Sequence, residues 1–255
     1  MLHMPPGREL SGTDILALFR RGDYNREEWV YLTYHANRLA FLVNLIGASV
    51  NAYSVRSSRR VRVLDVGPHF LTSLLHHSFG DRIVLHTLGW ENERLAPARI
   101  IAKHIPFDLN AAHDSSRWPR AEAYDIVVMA EVIEHLYTAP RLVLAFLASL
   151  LDDRGSLIIQ TPNAVALRNR VKMVLGRNPF EPIRETRSNP GHFREYTGKE
   201  LVAMCEGAGL ECERLAYVDY WPTNPVVRVV QRLNPHLRNG LTLILKKGHP
   251  ILTNC

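Results

Sequence analysis

Two carboxylates and an imidazole stand within five residues in the run Glu131-Val132-Ile133-Glu134-His135-Leu136. On a helical turn, positions i, i+3 and i+4 share one face. Acids packed that closely oppose folding unless a positive group sits among them. Carboxylate oxygens with an imidazole nitrogen suit a divalent cation. The same acids are equally at home in the first turn of a helix, where the dipole favours negative charge. Further along, Pro190-Gly191-His192-Phe193-Arg194-Glu195-Tyr196-Thr197 offers His192. That histidine could reach back as a further ligand or base, or be a loop residue ahead of a capped helix.

Two other constellations suggest a small-molecule crevice. Val61 to Leu75, VRVLDVGPHFLTSLL, reads as a buried strand ending in Asp65, a tight turn at Gly67-Pro68, and an apolar helix. A strand, a glycine turn and a helix in that order open the cofactor crevice of doubly wound α/β folds, with turn amides free to hydrogen-bond a ligand. Asp108, in FDLN, is an acid at the mouth of a neighbouring strand and can accept a bond from an adenine amino group. Each also has a plainer reading, as an ordinary turn and as a surface loop acid.

The elements that must position these residues alternate from residue 61 onward. Strands are expected at 61–65, 83–88, 105–109, 124–130, 155–160, 210–218 and 241–245, with helices at 141–151 and 198–206 and a small helix opening at Asn224-Pro225. The continuous apolar run YDIVVMA is that of a parallel strand covered on both faces. Such spacing implies right-handed βαβ units in one mostly parallel sheet. Ahead of it, Asn25 with Glu28 makes a capping box, and Trp29, Leu32, Ala36, Leu39, Val43 and Ile46 form one apolar helical face. Thr197 with Glu200 makes a second box. Residues 163–196 interrupt the alternation with a basic helix and a Pro-rich loop.

Composition narrows the class. A chain of 255 residues, 46% hydrophobic, suits one α/β domain with additions. The sequence has no uninterrupted apolar run long enough to span a membrane, and its first residues, MLHMPPGREL, lack the apolar stretch of a signal peptide. Three cysteines, Cys205, Cys212 and Cys255, have no metal spacing and fit a reducing cytosol, so a cytoplasmic location is expected. The net charge of +6 permits an anionic partner.

The order VLDVG, FDLN, YDIVVMAEVIEHL, GSLIIQTPN, GHFREYTGKEL and GLECERL resembles the class I S-adenosylmethionine-dependent methyltransferases. It is most similar to the branch holding ubiquinone-biosynthesis O-methyltransferases and bacterial enzymes that act on glycans or secondary metabolites. The resemblance implies a doubly wound, seven-stranded, mostly parallel sheet over residues 61–248, with 163–196 as an inserted acceptor lid. Residues 1–60 would then be an N-terminal helical extension and 249–255 a tail. It places Asp65, Gly67 and Pro68 at the methionine side of the cofactor, Gly89 to Glu91 near the ribose, and Asp108 and Leu109 near the adenine. Met129, Ala130 and Glu131 would form the crevice wall. Some of these relatives hold a divalent ion such as Mg2+ on a Glu-x-x-Glu-His motif and a later histidine, a pattern matched by Glu131, Glu134, His135 and His192. Two departures stand out. His69 and Leu71 occupy the second and third glycine positions of the family's loop, and Leu88-Gly89 replaces the acid expected to hold the ribose.

No Asn/Asp-Pro-Pro-aromatic run follows the fourth strand, so the resemblance favours an oxygen acceptor over an exocyclic amine. The hydroxyl proton would go to a base, His135, His192 or Glu131 being the candidates, or be loosened by a metal. The acceptor is expected to be a small molecule, a saccharide or a lipid-linked intermediate; RNA remains conceivable given the basic balance, although no RNA module is visible. In the insert, Leu167, Val171, Val174 and Leu175 give an apolar side, and Arg168, Arg170, Lys172 and Arg177 give charge. It either meets an anionic or lipid-linked acceptor at a membrane surface or packs its apolar side on the sheet. The rival to an enzyme is a degenerate methyltransferase fold serving as a non-catalytic scaffold.

Overall fold

A computed structural model of the chain describes residues 8–20, 22, 24–91, 98–186, 190–220 and 224–248. The expected tail and Cys255 lie outside the described residues. Seven strands form one sheet: β1 (Val61–Val66), β2 (Ile83–Gly89), β3 (Lys103–Pro106), β4 (Tyr124–Ala130), β5 (Leu151–Pro162), β6 (Leu210–Val218) and β7 (Gly240–Lys247). Their order is β3-β2-β1-β4-β5-β7-β6, with β7 antiparallel to both neighbours. The switch point, where successive connections leave in opposite directions, lies between β1 and β4. In open α/β sheets that is where ligands bind.

Alternate residues of the central strands feed two cores. Leu64, Val66, Val127, Met129 and Ile159 point to one face, covered by α4 (Pro140–Ser149) and α6 (Gly198–Glu206). Val61, Val63, Ile126, Val128 and Ile158 point to the other, covered by α1 (Gly12–Phe19), α2 (Arg26–Arg56) and α3 (Phe70–Phe79). Burial on both faces explains why β4 is apolar from Ile126 to Ala130.

Both expected capping boxes form. Asn25 accepts the Glu28 amide at 2.9 Å while the Glu28 carboxylate accepts the Asn25 amide at 2.7 Å, and Thr197 with Glu200 does the same for α6. Of the face expected on α2, Leu32, Ala36, Leu39, Val43 and Ile46 are buried, but Trp29, in the first turn, keeps 37% of its surface exposed. By length and composition α2 is also long and apolar enough to cross a membrane, although no uninterrupted apolar run marks it. Its apolar face is taken up by the second core.

Two boundaries and one turn differ from those expected. The third strand stops at Pro106, because the Asp108 carboxylate accepts the Asn110 amide at 3.0 Å and starts a 3-10 turn over Leu109–His113. The helix expected to run to Leu151 stops at Ser149, and Leu151 already pairs with Tyr124 as the first residue of β5. The turn after β4 does not form the helical face expected of it. Glu131 takes a left-handed conformation, φ +55°, while its amide still donates to Gln160 O at 2.8 Å. A 3-10 turn over Ile133–His135 follows, which buries Glu134 while Glu131 stays in the cleft wall, close enough for its charge to act on Glu134.

Candidate active site

The crevice opens at the carboxyl ends of β1, β2 and β4. Its first wall is the turn after β1. Gly67 sits at φ +73°, and its amide donates to Leu88 O at 2.8 Å, tying the turn to β2. A Cβ there would lie 2.7 Å from Val132 Cγ2, so only glycine fits between the two loops. Asp65 does not line the crevice as expected. It is buried, and its Oδ2 accepts the Thr72 hydroxyl at 2.6 Å; Thr72 Oγ1 in turn accepts the His69 amide at 3.1 Å. The acid therefore fastens the turn to the first residues of α3.

The two bulky residues in the glycine loop have different fates. Leu71 turns away into the second core. His69 lines the crevice, with its ring 4.8 Å from that of Tyr31 on α2. Beside it a cleft of about 730 Å³ stays open, lined by Gly67, Pro68, Gly89, Leu109, Ala130 and Glu131 among others. A neighbouring hollow of about 660 Å³ shares Trp90, Phe107 and Asp108 with it and adds Glu91 and Arg117. Together these volumes are the size of a cofactor and a small acceptor. Met129 is not part of the wall. It is wholly buried in the first core beneath Ala130, which is. Glu91 stands exposed beside Trp90, in reach of the end of the cleft where an acid was expected.

The far wall carries the ionisable groups. Glu134 is fully buried, and its Oε2 accepts the Thr161 hydroxyl at 2.9 Å. Its Oε1 has no hydrogen-bond partner among the described residues. Burial, reinforced by the nearby charge of Glu131, pushes its carboxyl well above the usual carboxylate range. His135 places Nδ1 2.8 Å from Gly191 O; a carbonyl only accepts, so Nδ1 carries the proton and Nε2 keeps a bare lone pair. Burial lowers its pKa and keeps the ring neutral. His192 stacks edge-on to His135 at 4.9 Å, with Nδ1 2.9 Å from Glu195 and Nε2 3.2 Å from Glu181.

Sequence reasoning missed the positive group. Arg38, on α2, is 3% exposed at the back of the cleft. Its Nη1 donates to Gln160 Oε1 at 3.0 Å and lies 4.0 Å from Glu131 Oε1; Nη2 donates to the Tyr31 hydroxyl at 3.1 Å, and Nε to His35 Nδ1 at 3.1 Å. Gln160 passes the network on to the Tyr220 hydroxyl at 2.8 Å. The signal was present: Tyr31, His35 and Arg38 follow at steps of four and three, a polar stripe beside the apolar face.

The residues given for a divalent ion are thus only partly brought together. Glu134, His135 and His192 each offer a ligand atom within 4.8 Å of the others. Glu131 stands outside this group, turned by its left-handed backbone towards Arg38.

Comparison with known proteins agrees with this architecture. The model of the methyltransferase domain family matches residues 43–215, and the chain belongs to that family. A probable S-adenosylmethionine-dependent methyltransferase of Mycobacterium tuberculosis is 33% identical over 120 residues, covering 41% of this chain and 39% of that protein. One from Mycolicibacterium smegmatis is 29% identical over 120 residues, covering 42% and 41%. The chain therefore spans about two-fifths of the length of the curated relatives it matches. The fold matches the crystal structure of an S-adenosylmethionine-dependent methyltransferase from Clostridium acetobutylicum, at a TM-score of 0.52 and 11% identity, covering 93% of this chain and 98% of that one.

Proposed function

We propose that this domain moves a methyl group from S-adenosylmethionine to a hydroxyl of a small-molecule, saccharide or lipid-linked acceptor. The carrying observation is that one cleft joins the Gly67 turn and Asp108 to the bare Nε2 of His135. The residues fit the cofactor: the glycine turn keeps its left-handed bend, and His69 leaves the space beside it open. Gly67 and Pro68 would hold the methionine part, Gly89 and Glu91 the ribose, and Asp108, whose Oδ1 is engaged by Asn110, would meet the adenine amino group with Oδ2. When bound, the cofactor supplies a sulfonium-activated methyl group. The protein's share is orientation and proton removal. His135, neutral and with its Nδ1 proton fixed on Gly191 O, takes the hydroxyl proton at Nε2. Glu131, held beside Arg38, faces the same cleft and can orient the hydroxyl.

Titration calorimetry with S-adenosylhomocysteine tests the reading. Binding is expected, and Asp108→Ala should weaken it about tenfold or more, the worth of one good polar contact. Absence of heat with either cofactor form would instead favour the non-catalytic scaffold.

A second reading adds a divalent cation on Glu134, His135 and His192, favoured by the orphaned buried Oε1 of Glu134. There it would act as a Lewis acid on the acceptor oxygen. If so, Mn2+ should bind the chelator-treated protein and fail to bind His192→Ala; equal binding to both removes the idea.

A further inference from the structure

Helices α5 (Leu167–Val174) and α7 (Pro225–Leu233) are seated with their apolar sides outward. In α7 the inward residue is Gln231, 2% exposed, whose amide donates to Asp219 Oδ1 at 3.1 Å. Val226, Val229, Val230 and Leu233, at i, i+3, i+4 and i+7, make a stripe that is 37–83% exposed. In α5 the inward residue is Asn169, 1% exposed, whose amide reaches Ala164 O at 3.1 Å. Val171, Val174 and the following Leu175 are 49%, 87% and 64% exposed. The packing of this stripe on the sheet, one of the two readings of the insert, does not occur. A surface helix normally turns its apolar stripe inward. Two helices that do the reverse, each anchored by a buried amide, need an apolar partner outside the molecule.

The charges say which partner. From Asn163 to Phe180 the chain carries Arg168, Arg170, Lys172 and Arg177 and no acid; from Tyr220 to Gly240 it carries Arg228, Arg232 and Arg238 and no acid. Arg170 and Lys172 bond only carbonyl oxygens, of Val165 and Pro179. An outward apolar stripe on a segment that carries cations and no acid is the chemistry of a helix lying in the interface of an anionic bilayer. The two helices also share an end of the sheet. α5 follows Pro162 of β5, α7 joins Val218 of β6 to Gly240 of β7, and those three residues pair side by side. Arg168 of α5 lines the cleft.

We propose that α5 and α7 together form a docking face for an anionic lipid membrane, which brings the mouth of the crevice against the bilayer. The face stands on its own geometry and does not depend on the methyl-transfer reading. The test is co-sedimentation of the full chain with vesicles of phosphatidylcholine alone or with about a third phosphatidylglycerol. The wild type should partition onto the anionic vesicles and release as salt rises. The variant Val174→Glu/Leu175→Glu/Val229→Glu/Leu233→Glu, with all four changes at exposed positions, should lose at least about tenfold of that partition, and Arg228→Ser/Arg232→Ser a similar amount. Far-UV circular dichroism and the thermal midpoint of both variants should match the wild type, showing that the loss is not one of folding. Three results would overturn the proposal: no binding of the wild type to anionic vesicles, equal binding by the four-glutamate variant, or a wild-type dimer in solution that the four glutamates dissolve. The last would assign the face to a second copy of the chain.

Discussion

At the scale of single residues, the site is governed by one buried cation. Arg38 gives Glu131 a counter-charge and Gln160 a donor, while burial and the Glu131 charge hold Glu134 towards its neutral form. The same guanidinium shapes its histidine neighbours. Burial first, then Arg38, pushes His35 down to about 3, and the same two causes push His69 down to about 4, from an ordinary 6.5. Both rings are therefore neutral in the folded protein while the unfolded chain takes up protons below 6.5. Their contribution is fully present above that value and is lost as the pH falls from there towards about 4, with a slope approaching about 1.4 kcal/mol per histidine per pH unit. The thermal midpoint of the wild type should thus drop more steeply between pH 7 and pH 5 than that of His35→Gln/His69→Gln. Parallel curves would show that these rings titrate alike in both states.

At the scale of elements, the decisive contact is the one between the loops after β1 and β4. Gly67 and Val132 meet so closely that the two loops set each other's course, and Glu131 takes its left-handed bend in the second of them. Gly67→Ala adds about 1–2 kcal/mol of backbone strain to a Cβ placed 2.7 Å from Val132 Cγ2. It should lower the thermal midpoint and weaken S-adenosylhomocysteine about tenfold or more. Adding Val132→Ala should recover the steric share of the stability and not the rest. Unchanged cofactor affinity in Gly67→Ala would mean that the ligand does not rely on this turn. Elements closed by local chemistry were legible in advance: the capping boxes at Asn25 and Thr197, the strand Tyr124–Ala130 and the helix Gly198–Glu206 fall where their residues put them. The turn after β4 was not, because its backbone answers to Gln160 and Gly67, which are distant in sequence.

At the scale of the whole molecule, the N-terminal helices are structural members of the sheet's second core. α1 and α2 supply Ile15, Leu32, Leu39, Val43 and Ile46 to it, against Val63, Ile126 and Val128 of the strands. Native stability is a small margin over large opposing terms, about 5–15 kcal/mol for a domain. Uncovering the share of this face that α1 and α2 close exceeds that margin. A fragment starting at residue 57 should therefore show no cooperative thermal transition by circular dichroism. A sharp transition in the fragment would show that α3 alone can close that core.

The succession of strands along the chain, the glycine turn, the acids and histidines of the far wall, and the family they resemble were all written in the linear chain, because each rests on residue type and short-range spacing. Tertiary structure decided which of those groups work together. It moved Asp65 and Met129 out of the wall, set Glu131 beside Arg38 and outside the group of Glu134, His135 and His192, brought Arg38 in from a helix about a hundred residues away, and turned two apolar stripes to solvent. The physical reason is that burial, partners and facing are properties of elements packed against each other, and a side chain's chemistry depends on them as much as on its own atoms.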